Sequence, residues 1–194
     1  MITFLFPFIL LFLIYIFFII LTKKYMKFSV IQLIFITAFY LYIITILVFQ
    51  LFPLPVQKEL IEDSIKYGFE YQNNFIPFTT IRIAFKNYFE FGVNSIIDII
   101  FQIIIYIPFG LYFPILFSEK IKIISIIKYG FSFSIGIKII QYLINLILGF
   151  NYRSINIDEV ILTIIGIVIG YFIYIICEKI IKKMEMEIQY IRPF

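Results

Sequence analysis

Long apolar runs recur along this chain, and they limit its possible fold more than any other feature. Five runs, at residues 2–21, 28–52, 95–117, 123–148 and 158–181, are each about 20 residues long or longer. A helix of about 20 residues crosses a hydrocarbon core about 30 Å thick, and only helices and closed barrels satisfy every backbone polar group in lipid. The sequence therefore predicts an all-α membrane protein, a bundle of about five transmembrane helices.

The composition agrees with this class and excludes others. The 194-residue chain is 63% hydrophobic and 14% charged, whereas soluble domains carry about 25% charged residues. We therefore expect one membrane domain over residues 1–194. The chain has no histidine and one cysteine, Cys177, which excludes histidine-based catalysis, histidine metal sites and a disulfide within the chain. We expect no metal and no cofactor.

The one long connection, between the second and third runs, predicts short helices at the membrane interface. It divides at residues 73–78 into two amphipathic stretches, neither of which is long or apolar enough to span. In the second stretch Ile81, Ala84, Phe85 and Tyr88 fall at helical spacing, with basic residues on the other side. This pattern is typical of a helix lying in the interface. A helix in a solvated loop is the alternative.

The distribution of lysines predicts the orientation of the bundle. Basic residues concentrate in the first and third connections and in the C-terminal tail, at Lys23, Lys24, Lys27, Lys120, Lys122, Lys128, Lys179, Lys182 and Lys183. Short cytoplasmic loops are rich in lysine and arginine, so the N-terminus is expected outside and the C-terminus in the cytoplasm. The bias toward Ile, Phe, Tyr, Lys and Asn is typical of AT-rich genomes and favours a bacterial plasma membrane.

The fourth apolar run carries a polar face around a lysine. Ser134, Lys138, Gln141 and Asn145 are spaced four, three and four residues apart, which places them on one side of a helix. Lys138 lies about 15 Å from the outer end of its run, too far for its ammonium group to reach water easily. A lysine at this depth costs about 2.5–3.5 kcal/mol on insertion scales, so it is a candidate functional residue. A tolerated structural lysine is the alternative.

The partners of Lys138 are predicted from depth. Asp98 and Glu159 lie within about one turn of the outer ends of their helices, roughly 10 Å above Lys138. Gln102, Tyr106 and Thr163 lie nearer in depth. We therefore predict hydrogen bonds from Lys138 to these residues rather than a close salt bridge.

Charged residues gather at the outer boundary of the third, fourth and fifth runs. Arg153 and Asp158 join Asp98 and Glu159 there, which predicts a polar opening between these three helices. Capping of helix starts is the alternative for Asp98 and Glu159, because Ser95 lies three residues before Asp98 and Asn156 three before Glu159.

The fifth run also carries closely spaced small residues. Glu159, Thr163, Gly166 and Gly170 repeat the spacing of four, three and four residues. Small residues at such positions allow helices to approach closely. Gly166 and Gly170 therefore predict a packing seam.

Several short motifs together resemble a known family. They are Asn74-Phe75-Ile76-Pro77-Phe78, Ile107-Pro108-Phe109-Gly110 with Pro114, Gly130-Phe131 through Gln141, Arg153-Ser154 with Asp158-Glu159, and the pair Gly166 and Gly170. Over residues 74–171 this succession resembles the VanZ-like family of membrane proteins, which is named after a teicoplanin-resistance protein. The resemblance implies a role in the cell envelope, linked to susceptibility to glycopeptide antibiotics, and it names no reaction.

Four positions depart from the pattern usual in that family. Gln102 and Thr163 stand where asparagine is usual, Lys138 where glutamate is usual, and Asn156 where aspartate is usual. The charge inside the membrane is thereby reversed at Lys138, which weakens any mechanism that relies on a carboxylate there. Arg153, Asp158 and Gln141 match the pattern directly.

Three functions remain open from the sequence. The leading hypothesis is a non-catalytic protein that engages membrane lipids, a lipid-linked envelope precursor or a glycopeptide through Asp98, Arg153, Asp158 and Glu159. A membrane enzyme that uses these carboxylates on a lipid-linked substrate is the first alternative. A small transporter, indicated by the polar face and by Pro108, is the second. A nucleic-acid partner is not expected, because no basic aromatic surface lies outside the apolar runs.

Overall fold

Seven helices make up the part of the chain that the computed structural model describes, which is residues 4–22, 29–68, 71–117 and 121–183. They are α1 (Leu5–Thr22), α2 (Val30–Leu51), α3 (Lys58–Lys66), α4 (Thr79–Phe91), α5 (Asn94–Phe117), α6 (Ile123–Leu148) and α7 (Ile157–Lys183). By length and composition, α2, α5, α6 and α7 can each cross a membrane, and α1 is a shorter apolar helix. The predicted all-α membrane class is confirmed.

Local signals set the ends of α2. The Ser29 hydroxyl accepts a hydrogen bond from the backbone N–H of Gln32, while the Gln32 side chain accepts one from the backbone N–H of Ser29. This capping box satisfies two donors that a helix start leaves open. At the other end α2 finishes two residues before Pro53, whose ring cannot continue the hydrogen-bonding pattern.

The orientation of the bundle in the membrane stays a prediction. Several of the lysines on which it depends lie outside the described residues: Lys23, Lys24, Lys27 and Lys120.

The helices α5 and α7 form the centre of the bundle, and glycines bring their backbones together. A Cβ at Gly166 would overlap the carbonyl oxygen of Ile103, and one at Gly170 would overlap that of Ile107. Gly110, on the facing side of α5, is equally close to the backbone of α7. The predicted packing seam is confirmed, because only a residue without a side chain fits at these positions.

Around this pair, α2 and α6 complete the apolar core. One cluster of buried side chains draws on all four long helices: Ile46, Tyr106, Phe109, Ile126, Ile137 and Ile167. In contrast α1 packs on α2, where the Tyr15 hydroxyl lies 2.6 Å from Thr37 Oγ1 and the Tyr15 ring stacks on Tyr40. Most of the surface of α1 is exposed and apolar, as a lipid-facing helix requires.

The two amphipathic stretches between the second and third runs form α3 and α4. Ala84 on α4 is buried against Ile99 of α5 and Leu162 of α7, with Ile81 beside it. The exposed face of α4 includes Phe85. The predicted helix is confirmed, and its position in the membrane interface stays a prediction.

Two loops at one end of the bundle pair with each other. This end, which we call the loop end, is where α2 and α6 finish and α5 and α7 begin. The loop before α4 and the loop before α7 meet in a short parallel β-bridge between Asn74 and Asn156. The backbone N–H of Asn74 donates to Ile155 O at 2.9 Å, and that of Ile157 donates to Asn74 O at 2.9 Å. Motifs about 80 residues apart in the sequence therefore form one structure.

Candidate functional site

Lys138 forms an ion pair inside the bundle. Its ammonium nitrogen lies 2.5 Å from Glu159 Oε2 and donates at 2.9 Å to Gln141 Oε1. The lysine side chain is 9% exposed and that of the glutamate 30% exposed. The prediction of hydrogen bonds to Gln102, Tyr106 and Thr163 in place of a salt bridge is wrong.

The path of the α6–α7 loop explains how Lys138 reaches Glu159. Asn145, about one turn before the end of α6, donates through Nδ2 to the carbonyl oxygen of Arg153 at 2.9 Å and to Asn151 Oδ1 at 3.2 Å. The loop thus folds back along α6, so that Glu159, near the start of α7, comes within reach of Lys138. Since the sequence interpretation placed both ends at one level, it put Glu159 too far from Lys138.

The polar face of α6 is buried and connects three helices. Ser134, Lys138, Gln141 and Asn145 are all buried, as predicted. Gln141 Nε2 donates at 2.8 Å to the carbonyl oxygen of Gln50 at the end of α2. Gln50 is itself buried, and its Nε2 lies 3.5 Å from the hydroxyl of Tyr106 on α5. Sequence reasoning missed Gln50, although a glutamine inside an apolar run is a signal that could have identified it.

Thr163 lies at the centre of the bundle, where its hydroxyl bonds its own helix and neighbours the Tyr106 hydroxyl of α5. It is fully buried, and its hydroxyl donates at 2.8 Å to the carbonyl oxygen of Glu159 one turn earlier in α7. Such back-bonding satisfies a threonine inside a helix. Thr163 therefore lies in the layer beneath the ion pair without contacting Lys138 through a described hydrogen bond.

The Asp158 carboxylate caps the start of α4. Its side chain is fully buried. Oδ1 accepts from the backbone N–H of Phe78 at 2.5 Å, and Oδ2 accepts from Thr80 at 2.7 Å and Ile81 at 3.4 Å. A carboxylate at a helix N-terminus satisfies open donors and interacts favourably with the helix dipole. The prediction that Asp158 lies in a polar opening is therefore wrong, because its carboxylate holds the start of α4.

This capping also holds Phe78 in an unusual backbone conformation. Phe78 has φ 66° and ψ 6°, in the left-handed region. For a residue with a side chain this region costs about 1–2 kcal/mol. The hydrogen bond to Asp158 and the paired loops hold the backbone there.

Arg153 closes the C-terminal end of α2. Its Nη2 donates to the carbonyl oxygens of Phe49 at 3.1 Å and Phe52 at 2.7 Å. The neighbouring Tyr152 donates through its hydroxyl to Leu51 O at 3.1 Å, and burial raises the pKa of this phenol. A cation and donors are favourable where a helix leaves carbonyls unpaired. Arg153 thus has a structural role at the loop end.

A cavity of about 650 Å³ opens beside these groups. Ten residues line it: Thr45, Phe49 and Gln50 of α2, Asp98, Phe101, Gln102, Ile104 and Ile105 of α5, Arg153, and Glu159 of α7. The sequence interpretation placed a polar opening between α5, α6 and α7. The structure places the cavity between α2, α5 and α7 instead, because α6 lies behind the ion pair.

The predicted site residues therefore divide into three groups. Asp98, Gln102, Arg153 and Glu159 line the cavity. Lys138, Gln141 and Thr163 form the buried layer behind it. Asp158 lies apart under α4. Glu159 lines the cavity and pairs with Lys138 of the buried layer, so it connects the two.

The cavity changes from polar to apolar along its length. Asp98 lies near the start of α5, Gln102 about one turn deeper, and Ile105 about 10 Å from Asp98 along the axis. Neither the Asp98 nor the Gln102 side chain has a hydrogen-bond partner within residues 4–22, 29–68, 71–117 and 121–183. The part of the chain described by the structure also contains no group of three or more acidic or cysteine side chains that could hold a metal. The cavity thus has polar side chains near the loop end and apolar side chains deeper in the bundle.

The fold and this site define a polytopic helical membrane protein with a charged pair beneath paired loops and an amphiphilic cavity beside it. The VanZ/LLP1 family model matches residues 37–178, more than half of the chain, and the chain belongs to this family. The match begins inside α2 and ends inside α7. It therefore includes every residue that lines the cavity. Comparisons with curated proteins and with solved structures give no match.

Proposed function

We propose that this VanZ/LLP1 protein is a non-catalytic binder of an amphiphilic lipid, whose head group lies at the loop end of the cavity. The observation that carries the proposal is the cavity itself, in which Asp98 and Gln102 face the same space as Phe101 and Ile104. A volume of about 650 Å³ falls in the range of ligand sites. Polar groups at one end and apolar groups at the other match a head group joined to a chain.

The polar end offers complementary groups for a phosphate and for hydrogen-bond donors. The two described bonds of Arg153 use Nη2, and a guanidinium carries three further N–H donors. These suit a phosphate oxygen. Asp98 accepts hydrogen bonds from hydroxyl, amide or ammonium groups, and Gln102 both donates and accepts. The ligand class is therefore a phospholipid or a lipid-linked envelope precursor.

An apolar hollow next to the cavity has room for an acyl or prenyl chain. It has a volume of about 320 Å³ and shares Thr45 and Phe49 with the cavity. Its other walls are Phe4, Leu5, Phe8 and Val48, so it lies between α1 and α2. A chain leaving the cavity past Phe49 would enter this hollow and then the surrounding lipid.

Binding is favoured over catalysis because of how the carboxylates are held. Glu159 is paired with Lys138, and Asp158 is committed to three backbone donors. Of the three acids considered from sequence, Asp98 alone is left without a described partner. Acid–base catalysis on a lipid-linked substrate uses side chains that are free to exchange protons with it. Two carboxylates line the cavity, and one of them, Glu159, is already held in the ion pair with Lys138.

We further propose that the protein acts at the bacterial plasma membrane with the loop end outside. A protein that sequesters a lipid-linked precursor there would change susceptibility to glycopeptides such as teicoplanin. The positive charge of the opposite connections supports this orientation. Deletion of the gene followed by measurement of teicoplanin susceptibility tests this role, and unchanged susceptibility would contradict it.

Lipid mass spectrometry on the gently purified protein tests the binding proposal. The variants are Asp98→Asn and Gln102→Leu, which change cavity groups without removing a described hydrogen bond, and Ser132→Ala on the exposed side of α6 is the control. We expect a lipid enriched in wild type and in the control and depleted in both cavity variants. The same lipid profile in all four proteins would refute the proposal.

A further inference from the structure

Three large apolar side chains project from the loop before α4. Phe75 is 68% exposed, Ile76 71% and Phe78 60%. With Pro77 they occupy four consecutive positions, residues 75–78, which we call the apolar tip. Contiguous apolar surface of this kind marks a contact with a partner or with a membrane.

The apolar tip is held rigidly. On its N-terminal side, Asn74 pairs with the loop before α7 through both of its backbone groups, and its side-chain Oδ1 accepts from the backbone N–H of Ile76 at 3.2 Å. On its C-terminal side, Asp158 binds the backbone of Phe78 and Thr80. The exposure of the three side chains is therefore imposed by the fold.

The backbone conformation of Phe78 indicates that its ring contacts something outside the described chain. Glycine adopts a φ of 66° without strain, whereas phenylalanine does not. A buried ring could offset this strain by packing, but the Phe78 ring is 60% exposed. The contacts that the Phe78 ring makes within the described chain are therefore too few to offset the backbone strain at this position.

The neighbouring face of α4 indicates which partner covers the tip. Arg82, Phe85 and Lys86 follow Phe78 at helical spacing, and all are exposed. Aromatic rings beside basic side chains are typical of segments in the membrane interface, where the rings enter the acyl boundary and the cations meet lipid phosphates. Because Asp158, the second residue of α7, holds the tip, the tip also lies level with the start of an apolar membrane-spanning helix.

We propose that the apolar tip, together with the exposed face of α4, inserts into the interfacial layer of the bilayer at the loop end and fixes the depth of the paired loops. This inference concerns a surface away from the cavity. A test of this inference is therefore independent of the proposed ligand.

Single-tryptophan fluorescence tests the insertion, since the chain contains no tryptophan. Phe75→Trp and, separately, Ile76→Trp place one reporter in the tip. The variants are reconstituted in vesicles of phosphatidylcholine and phosphatidylglycerol whose acyl chains are brominated near the head group or near the chain end. Ile139→Trp, exposed in the middle of α6, is the lipid-facing control, and Lys58→Trp, whose side chain is 90% exposed on α3, is the control outside the apolar spans.

The proposal predicts that both tip reporters emit at short wavelength and lose intensity mainly with the shallow bromines, while Ile139→Trp loses intensity mainly with the deep ones. Iodide in the water should quench the tip reporters much less than Lys58→Trp. Strong iodide quenching of the tip with no loss to bromolipids would overturn the proposal. Protection from both quenchers, with emission that depends on protein density in the vesicle, would overturn it in favour of a contact between protein copies.

Discussion

The ammonium nitrogen of Lys138 lies 2.5 Å from Glu159 Oε2, so a lysine deep in α6 and a carboxylate near the start of α7 form one ion pair. The lysine is the more enclosed partner, and the glutamate also faces the cavity. The pair thus ties the wall of the cavity to the core behind it. The contribution of this ion pair to stability depends on which charge is left unpaired when one partner is removed.

Removal of either partner should destabilise the fold. Removal of both should lower the free energy of unfolding by less than the sum of the two single losses. Glu159→Gln leaves the enclosed ammonium of Lys138 without a counter-charge, for which losses of about 3–5 kcal/mol are typical. Lys138→Met should cost less, because the carboxylate left behind can be hydrated from the cavity. Thermal unfolding in detergent of both single variants and the double variant gives the coupling. Strictly additive losses would show that the two groups do not interact.

The cap on α4 predicts a local effect of Asp158. Asp158→Ala removes a charged acceptor from three backbone N–H groups, and loss of a helix cap costs about 0.5–2 kcal/mol. Amide hydrogen exchange should accelerate at Thr80 and Ile81. Asp98→Asn is the matched control, since the Asp98 side chain has no hydrogen-bond partner among the described residues, and it should leave exchange in α4 unchanged. Equal exchange in wild type and Asp158→Ala would contradict the capping.

The contacts of Arg153 predict that this residue supports α2. Arg153→Ala should lower stability by about 1.5–3 kcal/mol, the range for hydrogen bonds to a charged group. Arg153→Lys should recover part of the loss, because one ammonium can reach a carbonyl but lacks the planar fork of a guanidinium. The measurement is again thermal unfolding. If Arg153→Ala were as stable as wild type, its two bonds to the carbonyls of Phe49 and Phe52 would have no energetic role.

The glycine seam offers a comparison within one protein. Gly166→Ala and Gly170→Ala should each destabilise by about 1–3 kcal/mol, the usual cost of overpacking, because the new methyl would meet the backbone of α5. Gly136→Ala on α6 has open space within 4 Å. There alanine should be neutral or stabilising, by up to about 1 kcal/mol from helix propensity. The same loss at all three positions would contradict the close approach of α5 and α7.

Much of the fold could be predicted from sequence because lipid imposes simple rules on it. Apolar runs of sufficient length located the helices, and the spacing of polar residues identified the buried face of α6. Gly166 and Gly170 indicated the close packing of α7. Each of these signals is contained within one helix.

The arrangement of the site could not be predicted because it depends on loops. Lys138 reaches Glu159 only because the loop before α7 folds back along α6, a path that no helical periodicity encodes. Asp158 binds backbone groups about 80 positions away, and a backbone donor leaves no mark in the sequence. The family motifs listed which residues matter together without giving their contacts.

Crosslinking with a photoreactive lipid tests the central claim, that the cavity binds an amphiphile. A phospholipid with a diazirine near the top of one chain is incorporated in vesicles with wild-type protein and with Gln102→Leu, and the labelled residues are identified by peptide mass spectrometry. The account predicts strong labelling of Gln50 and Ile105, the more enclosed residues of the cavity wall, reduced in the variant, above a weaker background at lipid-facing positions such as Ile139. Labelling of the cavity no stronger than that of Ile139, and unchanged by the variant, would contradict it.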